Sequence, residues 1–359
     1  MHKRPIGLFI LVLLLVEGCI DPLEVAIPEV RLQLVVDGFI TNLPGPYSIR
    51  LYSARPLETD LDRIVPETLA RVSLKDDQGN SEVLTETEPG VYTTRENGIR
   101  GEIGRKYSIT IRTKAGKEFY SEPEELMAPG SISNVSFEFD GDEPNGFRIF
   151  ADAQGLPDQK DLVRFRTVST YEIKTFPELR TRAVEGGRVP DPFPCSGYTV
   201  NISGQLTQVA PCTCCQCWVN QYDDVPVLAD ERFVSGDLFQ SVEVGFVPVN
   251  RRTFYNKVRV EVQQMSLTEF TFNYWQLVRA QKLGVTDIFQ PPAGKIEGNI
   301  RSNDPNEEAL GLFWTAGVHT RSLFIEKRDV PVVVRAIDTV KAPCQFQTNS
   351  TNQKPEFWR

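Results

Sequence analysis

Apolar and polar residues alternate along most of this chain, and the alternation begins at Leu32. Leu32, Leu34, Val36 and Gly38 fall on one face, and Pro44-Gly45-Pro46 then turns the chain into Tyr47, Ile49 and Leu51. A period of two, punctuated by turn residues, predicts β-strands. Residues 71–75 and 82–84 repeat the pattern on either side of Asp76-Asp77-Gln78-Gly79-Asn80, a hairpin signal in which Gly79 or Asn80 can take a positive φ. Short strands are expected again at 90–93, 107–111 and 118–120. Strands at this spacing predict an immunoglobulin-like or prealbumin-like β-sandwich over residues 31–125.

Pro129-Gly130 centres a stretch that reads as a linker over 126–133. Alternation then resumes at 135–139, 147–150, 162–171, 241–249 and 257–263, with β-branched and aromatic residues in alternate places. One segment changes period. Ser266-Leu267-Thr268-Glu269 has the form of a capping box, and Leu267, Phe270, Tyr274, Leu277 and Val278 recur at helical spacing before Gly284. A helix over 266–283 is expected, its apolar stripe packed in the core. Further strands at 310–313 and 322–326 would leave His319 in a loop between them. The expected second domain, 134–330, is thus β-rich with one clear helix, and 331–359 forms a C-terminal strand and tail.

Residues 1–18 break the pattern. Lys3 and Arg4 precede an apolar run over 6–16 that is too short to span a bilayer. Val16-Glu17-Gly18-Cys19 resembles the bacterial lipobox, so residues 1–18 read as a lipoprotein signal peptide cleaved before Cys19. The Cys19 thiol would carry a diacylglycerol, and residues 19–30, with Pro22 and Pro28 opposing helix, would form the lipidated tether. Each buried methylene contributes about 0.8 kcal/mol, so two or three acyl chains anchor a protein lastingly. By analogy with lipoprotein sorting in Gram-negative bacteria, Ile20 in place of Asp after the cysteine favours the outer membrane, on its periplasmic face or at the cell surface.

A net charge of −9 argues against nucleic acid as a partner. Histidine is scarce: His2 falls in the signal peptide, which leaves His319 alone and excludes multi-histidine metal sites. His319 is accordingly read as structural rather than catalytic. The adjacent carboxylates Glu307 and Glu308 would suit a hydrolase, but they read as the acidic first turn of a short helix. Neighbours on a helix point apart, which is poor for joint acid and base work. Asp76 and Asp77, like Asp140, Asp142 and Glu143, lack the further ligands of an EF-hand and read as loop residues. With no phosphate loop and no nucleophile elbow, no catalytic residue and no cofactor is expected.

Six cysteines remain after Cys19: Cys195, Cys212, Cys214, Cys215, Cys217 and Cys344. An even number in an exported chain favours disulfides, in any of fifteen pairings. In an extended segment Cys212 and Cys214 would face one way and Cys215 and Cys217 the other. A bridge to Cys195 would close a loop of roughly twenty residues, worth about 3 kcal/mol in the chain-entropy model. One to Cys344 would tie down the tail. Four sulfurs in six residues could instead take copper(I) or zinc, although structural zinc cysteines are spaced more widely.

Leu34-Val35-Val36-Asp37-Gly38-Phe39-Ile40-Thr41 and Pro46-Tyr47-Ser48-Ile49-Arg50-Leu51 resemble the start of a Bacteroidota lipoprotein family labelled domain of unknown function 4249. The resemblance resumes at Phe289-Gln290-Pro291-Pro292-Ala293, Gly298-Asn299-Ile300 and Leu310-Gly311-Leu312-Phe313, and spans most of residues 20–328. It implies an envelope lipoprotein associated with a TonB-dependent, SusC-like outer-membrane receptor, and it supplies no catalytic residue. The expected function is therefore that of a binding or accessory subunit; a soft-metal-binding protein and an extracytoplasmic hydrolase are the alternatives.

Overall fold

Alternation in the strand Gln33–Thr41 buries Leu34, Val36 and Ile40 and leaves Asp37 outside. The strand pairs antiparallel with Ser48–Ala54, and this layer continues through Val91–Thr93 to Thr85–Glu88. A computed structural model describes residues 33–54, 65–157, 160–230, 238–284 and 295–359; Cys19, the signal peptide, the tether and the 289–293 motif lie outside them. Facing the first layer is a second sheet in the order Ile300–Ser302, Glu118–Ser121, Lys106–Arg112, Arg71–Asp76, Ser81–Val83. Val36, Leu51, Leu74, Tyr92, Tyr107 and Ile109 fill the space between. Each such side chain contributes about 1.5–3 kcal/mol on burial. The expected sandwich is present. Its core also takes Ile300 and Phe313 from late in the chain, so it does not close on residues 31–125 alone.

The acidic hairpin turn serves its own backbone. Asp76 Oδ1 accepts the N–H groups of Gln78 and Asn80 at 3.0 and 2.8 Å, and Gly79 is the residue with positive φ, 90°. Arg105 then pairs with Asp76 and with Asp77, each at 2.6 Å.

The second unit is also two-layered. One layer, Ser131–Asp140, Gly146–Gln154 and Leu238–Pro248, packs on a sheet ordered Ser350–Thr351, Gln216–Tyr222, Val163–Lys174, Lys257–Ser266, Ala309–Glu326. Phe147, Ile149, Phe165, Phe239, Val260 and Val262 lie between them. Residues 309–326 form one strand of eighteen residues where two were expected. Ala309–Ala316 pairs in parallel with 34–41, and Gly317–Glu326 pairs antiparallel with 257–266. A single strand therefore carries the sheet of one unit into the other. His319 lies within that strand, not in a loop, and its Nδ1 accepts the Ile132 N–H at 3.0 Å.

The seam explains part of the sequence resemblance. Gly311 has φ 89°, and a β-carbon there would collide with the Val36 carbonyl. Gly298 lies against the Gly311 carbonyl so closely that only glycine fits.

Residues Glu269–Gly284 form the one α-helix among the described residues. Its cap is Thr268, whose Oγ1 accepts the Thr271 N–H at 3.2 Å; Ser266, the expected cap, still belongs to the preceding strand. The expected core stripe is only partly buried: Phe270 and Leu277 are exposed, while Thr271 and Phe272 turn inward. Trp275 packs on Trp314, and the Arg164 guanidinium lies 3.9 Å from the Trp275 ring centroid. Burial holds Arg164 down to about 10, with Asp223 opposing the shift.

The segment expected as a linker, 126–133, is packed rather than free. Leu126 is fully buried and its N–H donates to the Arg105 carbonyl. Just before it, buried Glu124 accepts the Thr268 and Thr271 hydroxyls at 2.7 and 3.2 Å.

Candidate functional site

The cysteine segment forms three disulfides: Cys195–Cys214, Cys212–Cys215 and Cys217–Cys344, with Cα separations of 5.7, 5.8 and 5.8 Å. Both bridges weighed from the sequence, one to Cys195 and one to Cys344, are made. The third corrects the extended reading of 212–217. Cys212 can reach Cys215 only because the chain bends there, and the strand Gln216–Tyr222 begins after the bend. With all six sulfurs bonded in pairs, none is left as a thiolate ligand, and no group of three metal-binding side chains occurs among the described residues.

The disulfides fix two chain segments side by side. Cys217 lies in the core strand and is fully buried, as is Cys344. Cys344 N–H also donates to the Cys214 carbonyl at 2.9 Å, and the Ser350 hydroxyl to the Cys344 carbonyl at 3.2 Å. Four residues upstream of Cys344, the Val340 carbonyl accepts the Phe176 N–H at 2.8 Å. The stretch 337–340 is thereby held against the end of the strand Val163–Lys174.

A pocket of about 320 Å³ opens between them. Its third wall is the turn that follows Leu238–Pro248, which Asn250 organises. Asn250 Oδ1 accepts the N–H groups of Arg252 and Thr253 at 2.9 and 3.0 Å, and the Thr253 hydroxyl donates to the Pro248 carbonyl at 2.6 Å. Such a side-chain turn fixes the direction of the two arginines that follow Asn250. Arg251 N–H donates to the Arg335 carbonyl at 2.8 Å, which joins this turn to the C-terminal segment.

Three cations line the pocket: Lys174, Arg251 and Arg252. Among the described residues none of them is in an ion pair, and the Arg252 Nε is buried with no hydrogen-bond partner. Nearby carboxylates are engaged elsewhere. Glu172 accepts from Gln216 Nε2 and Asn256 Nδ2 at 2.6 and 3.1 Å, and Glu143 pairs with Arg335. Asp338 is the one carboxylate on the pocket wall. Burial pushes the Tyr171 phenol up, and the Arg252 charge pulls against that shift. Apolar surface comes from Ile173, Phe176, Ile337 and Val340.

A second concavity, about 530 Å³, lies on the outer face of the same sheet beneath the C-terminal tail. Two of its charges satisfy each other: Arg259 pairs with Glu261 at 2.7 Å and stacks 4.1 Å from the Phe357 ring centroid.

The carboxylates singled out from the sequence do not converge. Residues 304–308 form a turn rather than a helix, with Glu307 N–H donating to the Asp304 carbonyl. Glu307 pairs with Lys117 at 2.7 Å, whereas Glu308 pairs with Lys295 at 2.5 Å. Asp140 Oδ1 accepts the Asp142 N–H at 3.0 Å and stays a loop cap. The pocket cations escaped the sequence reading because they come from separate segments. The available signal was Asn250-Arg251-Arg252-Thr253, a turn sequence with paired arginines between two strands of an acidic chain.

The family described as domain of unknown function (DUF4249) matches residues 20–322, and the chain belongs to that family. No curated protein matches it.

Proposed function

We propose that this chain is a lipid-anchored binding or accessory protein of the outer membrane, acting beside a TonB-dependent receptor and carrying no catalytic residue of its own. The observation that supports this reading is the complete pairing of Cys195, Cys212, Cys214, Cys215, Cys217 and Cys344. Three disulfides fit an oxidising compartment outside the cytoplasm, where the signal-like residues 1–18 and the acceptor Cys19 would deliver the chain. Separate ion pairs at Glu307 and Glu308 weigh against the hydrolase alternative, because each carboxylate is engaged by a different lysine. The bonded sulfurs weigh against the soft-metal alternative, because a metal takes the thiolate.

Metabolic labelling with a fatty acid, followed by mild-detergent purification from native membranes, tests the proposal. Label should enter the wild-type chain and not Cys19→Ser, and an outer-membrane receptor should be recovered with the lipoprotein. Equal fractionation of wild type and Cys19→Ser would remove the anchor from the reading. Recovery of the lipoprotein with no receptor would remove the partner.

A further inference from the structure

We propose that the pocket walled by Ile173–Phe176, Arg251–Tyr255 and Ile337–Val340 binds a small organic carboxylate, with Arg252 as its principal anion contact. This rests on the binding reading above only in treating the chain as a receptor; it needs neither the lipid nor the outer-membrane partner.

Unpaired lysines and arginines on a surface are ordinary. An arginine nitrogen out of contact with water and without a partner is not, since an unsatisfied buried donor carries its full desolvation cost. Arg252 Nε is such a donor; it is closed to solvent, so an anion would meet Arg252 through the rest of the guanidinium on the pocket wall. Lys174 and Arg251 add two more positive charges on the same pocket, against one carboxylate, Asp338. The chain as a whole has a net charge of −9, so a wall with this excess of cations runs against the overall balance.

The apolar walls choose between kinds of anion. A guanidinium offers a fork of N–H donors suited to a carboxylate or a phosphate. An inorganic ion would gain nothing from Ile173, Phe176 and Val340, whereas the hydrocarbon part of an organic acid would bury against them. About 320 Å³ lies at the small end of ligand pockets, which excludes large bodies such as dinucleotides.

The pocket is also braced on every side. Asn250 holds the arginine turn, the Phe176–Val340 hydrogen bond closes one edge, and Cys217–Cys344 fixes the base of the 337–340 wall. A preformed pocket loses less entropy on binding than one that must be ordered.

Calorimetric titration of the full-length, detergent-solubilised chain with 3-phenylpropionate, the neutral 3-phenylpropionamide and inorganic phosphate tests the assignment. The carboxylate should bind saturably and at least about tenfold more tightly than either of the others. Arg252→Met and the double variant Lys174→Met/Arg251→Met should each weaken it by about tenfold or more, with Arg182→Met, away from the pocket, leaving it unchanged. Circular dichroism and thermal unfolding establish that each variant is folded.

No heat with the carboxylate, equal binding of the amide, equal binding of phosphate, or a folded Arg252→Met that binds like wild type would each overturn the proposal. A chain that binds 3-phenylpropionate yet recovers no receptor keeps the pocket and loses the accessory role. Recovery of the receptor without carboxylate binding does the reverse.

Discussion

Asn299 and Phe313 exchange two hydrogen bonds within the first sandwich, between the segment leading into Ile300–Ser302 and the long strand Ala309–Glu326. Asn299 Nδ2 donates to the Phe313 carbonyl at 2.6 Å, the Phe313 N–H donates to Asn299 Oδ1 at 3.0 Å, and the asparagine is fully buried. The side chain thus does for Phe313 what a neighbouring strand would do. Gly298 and Gly311 let the two segments approach closely enough for this exchange.

Asn299→Ala leaves both backbone groups of Phe313 buried without partners. An orphaned buried polar group costs about 1–3 kcal/mol, so a loss of about 3 kcal/mol in unfolding free energy is expected. Urea denaturation of the two chains measures it. A loss below about 0.5 kcal/mol, the level of an ordinary surface change, would mean that the closure of the first sandwich does not depend on this pair.

The three disulfides should differ in worth because they close loops of different length. Their sequence separations are 127 for Cys217–Cys344, 19 for Cys195–Cys214 and 3 for Cys212–Cys215. The chain-entropy model assigns about 5, about 3 and below about 2 kcal/mol to closures of these lengths. Replacing each pair with serines, one pair per variant, should reproduce that order in thermal unfolding under non-reducing conditions. Peptide mapping of the wild-type protein checks the pairing itself. A reversed order, or a Cys217/Cys344 double variant as stable as wild type, would contradict the view of that bridge as the staple of the C-terminal segment.

Thr268 has two tasks. Its Oγ1 accepts the Thr271 N–H as the helix cap and donates to Glu124 Oε2. Thr268→Ala should cost about 1–2 kcal/mol, the range for loss of a cap. Because Glu124 shares the hydroxyl, Thr268→Ala and Glu124→Gln should be non-additive by about 0.5 kcal/mol or more in a double-mutant cycle. Strict additivity would show that the helix start and the preceding segment are energetically independent.

Strand positions were legible because alternation reports one buried face, and Leu34, Val36, Ile49 and Leu51 are buried as that pattern requires. The continuity of 309–326 was not. Thr320, Arg321 and Ser322 interrupt the apolar pattern, yet they stay in antiparallel register with Gln263, Val262 and Glu261 of the adjacent strand. Periodicity reads side chains and is blind to that pairing. The cap was displaced for a related reason: Ser266 satisfies the capping pattern but is already paired with Val163 and Gly317 in the sheet. The pocket was invisible because the turn that carries Arg251 and Arg252 is local in sequence, whereas its meeting with Lys174 and with 337–340 is made by the sheet and the C-terminal segment. Connectivity among the six cysteines likewise depends on a bend at 213–215 that an extended reading does not contain.

Glu124 should make stability depend on pH in a direction opposite to that of a salt-bridged carboxylate. Burial pushes its carboxyl above the ordinary glutamate value, more strongly than the hydrogen bonds from Thr268 and Thr271 lower it. A raised value in the folded state means that the folded chain holds the proton more tightly than the unfolded chain. The favourable contribution is therefore complete below the ordinary carboxylate range, and it is lost as pH rises through the folded-state value. Glu124→Gln keeps the shape of the protonated acid and cannot ionise. Relative to wild type, it should gain stability as pH is raised from about 4 to about 7, and the difference should level off once the wild-type carboxyl is fully ionised. Chemical denaturation of both proteins across that interval reads the difference directly and cancels the groups they share. A difference that is flat with pH, or one that favours wild type increasingly as pH rises, would show that the Thr268 and Thr271 hydroxyls stabilise the carboxylate more than burial penalises it.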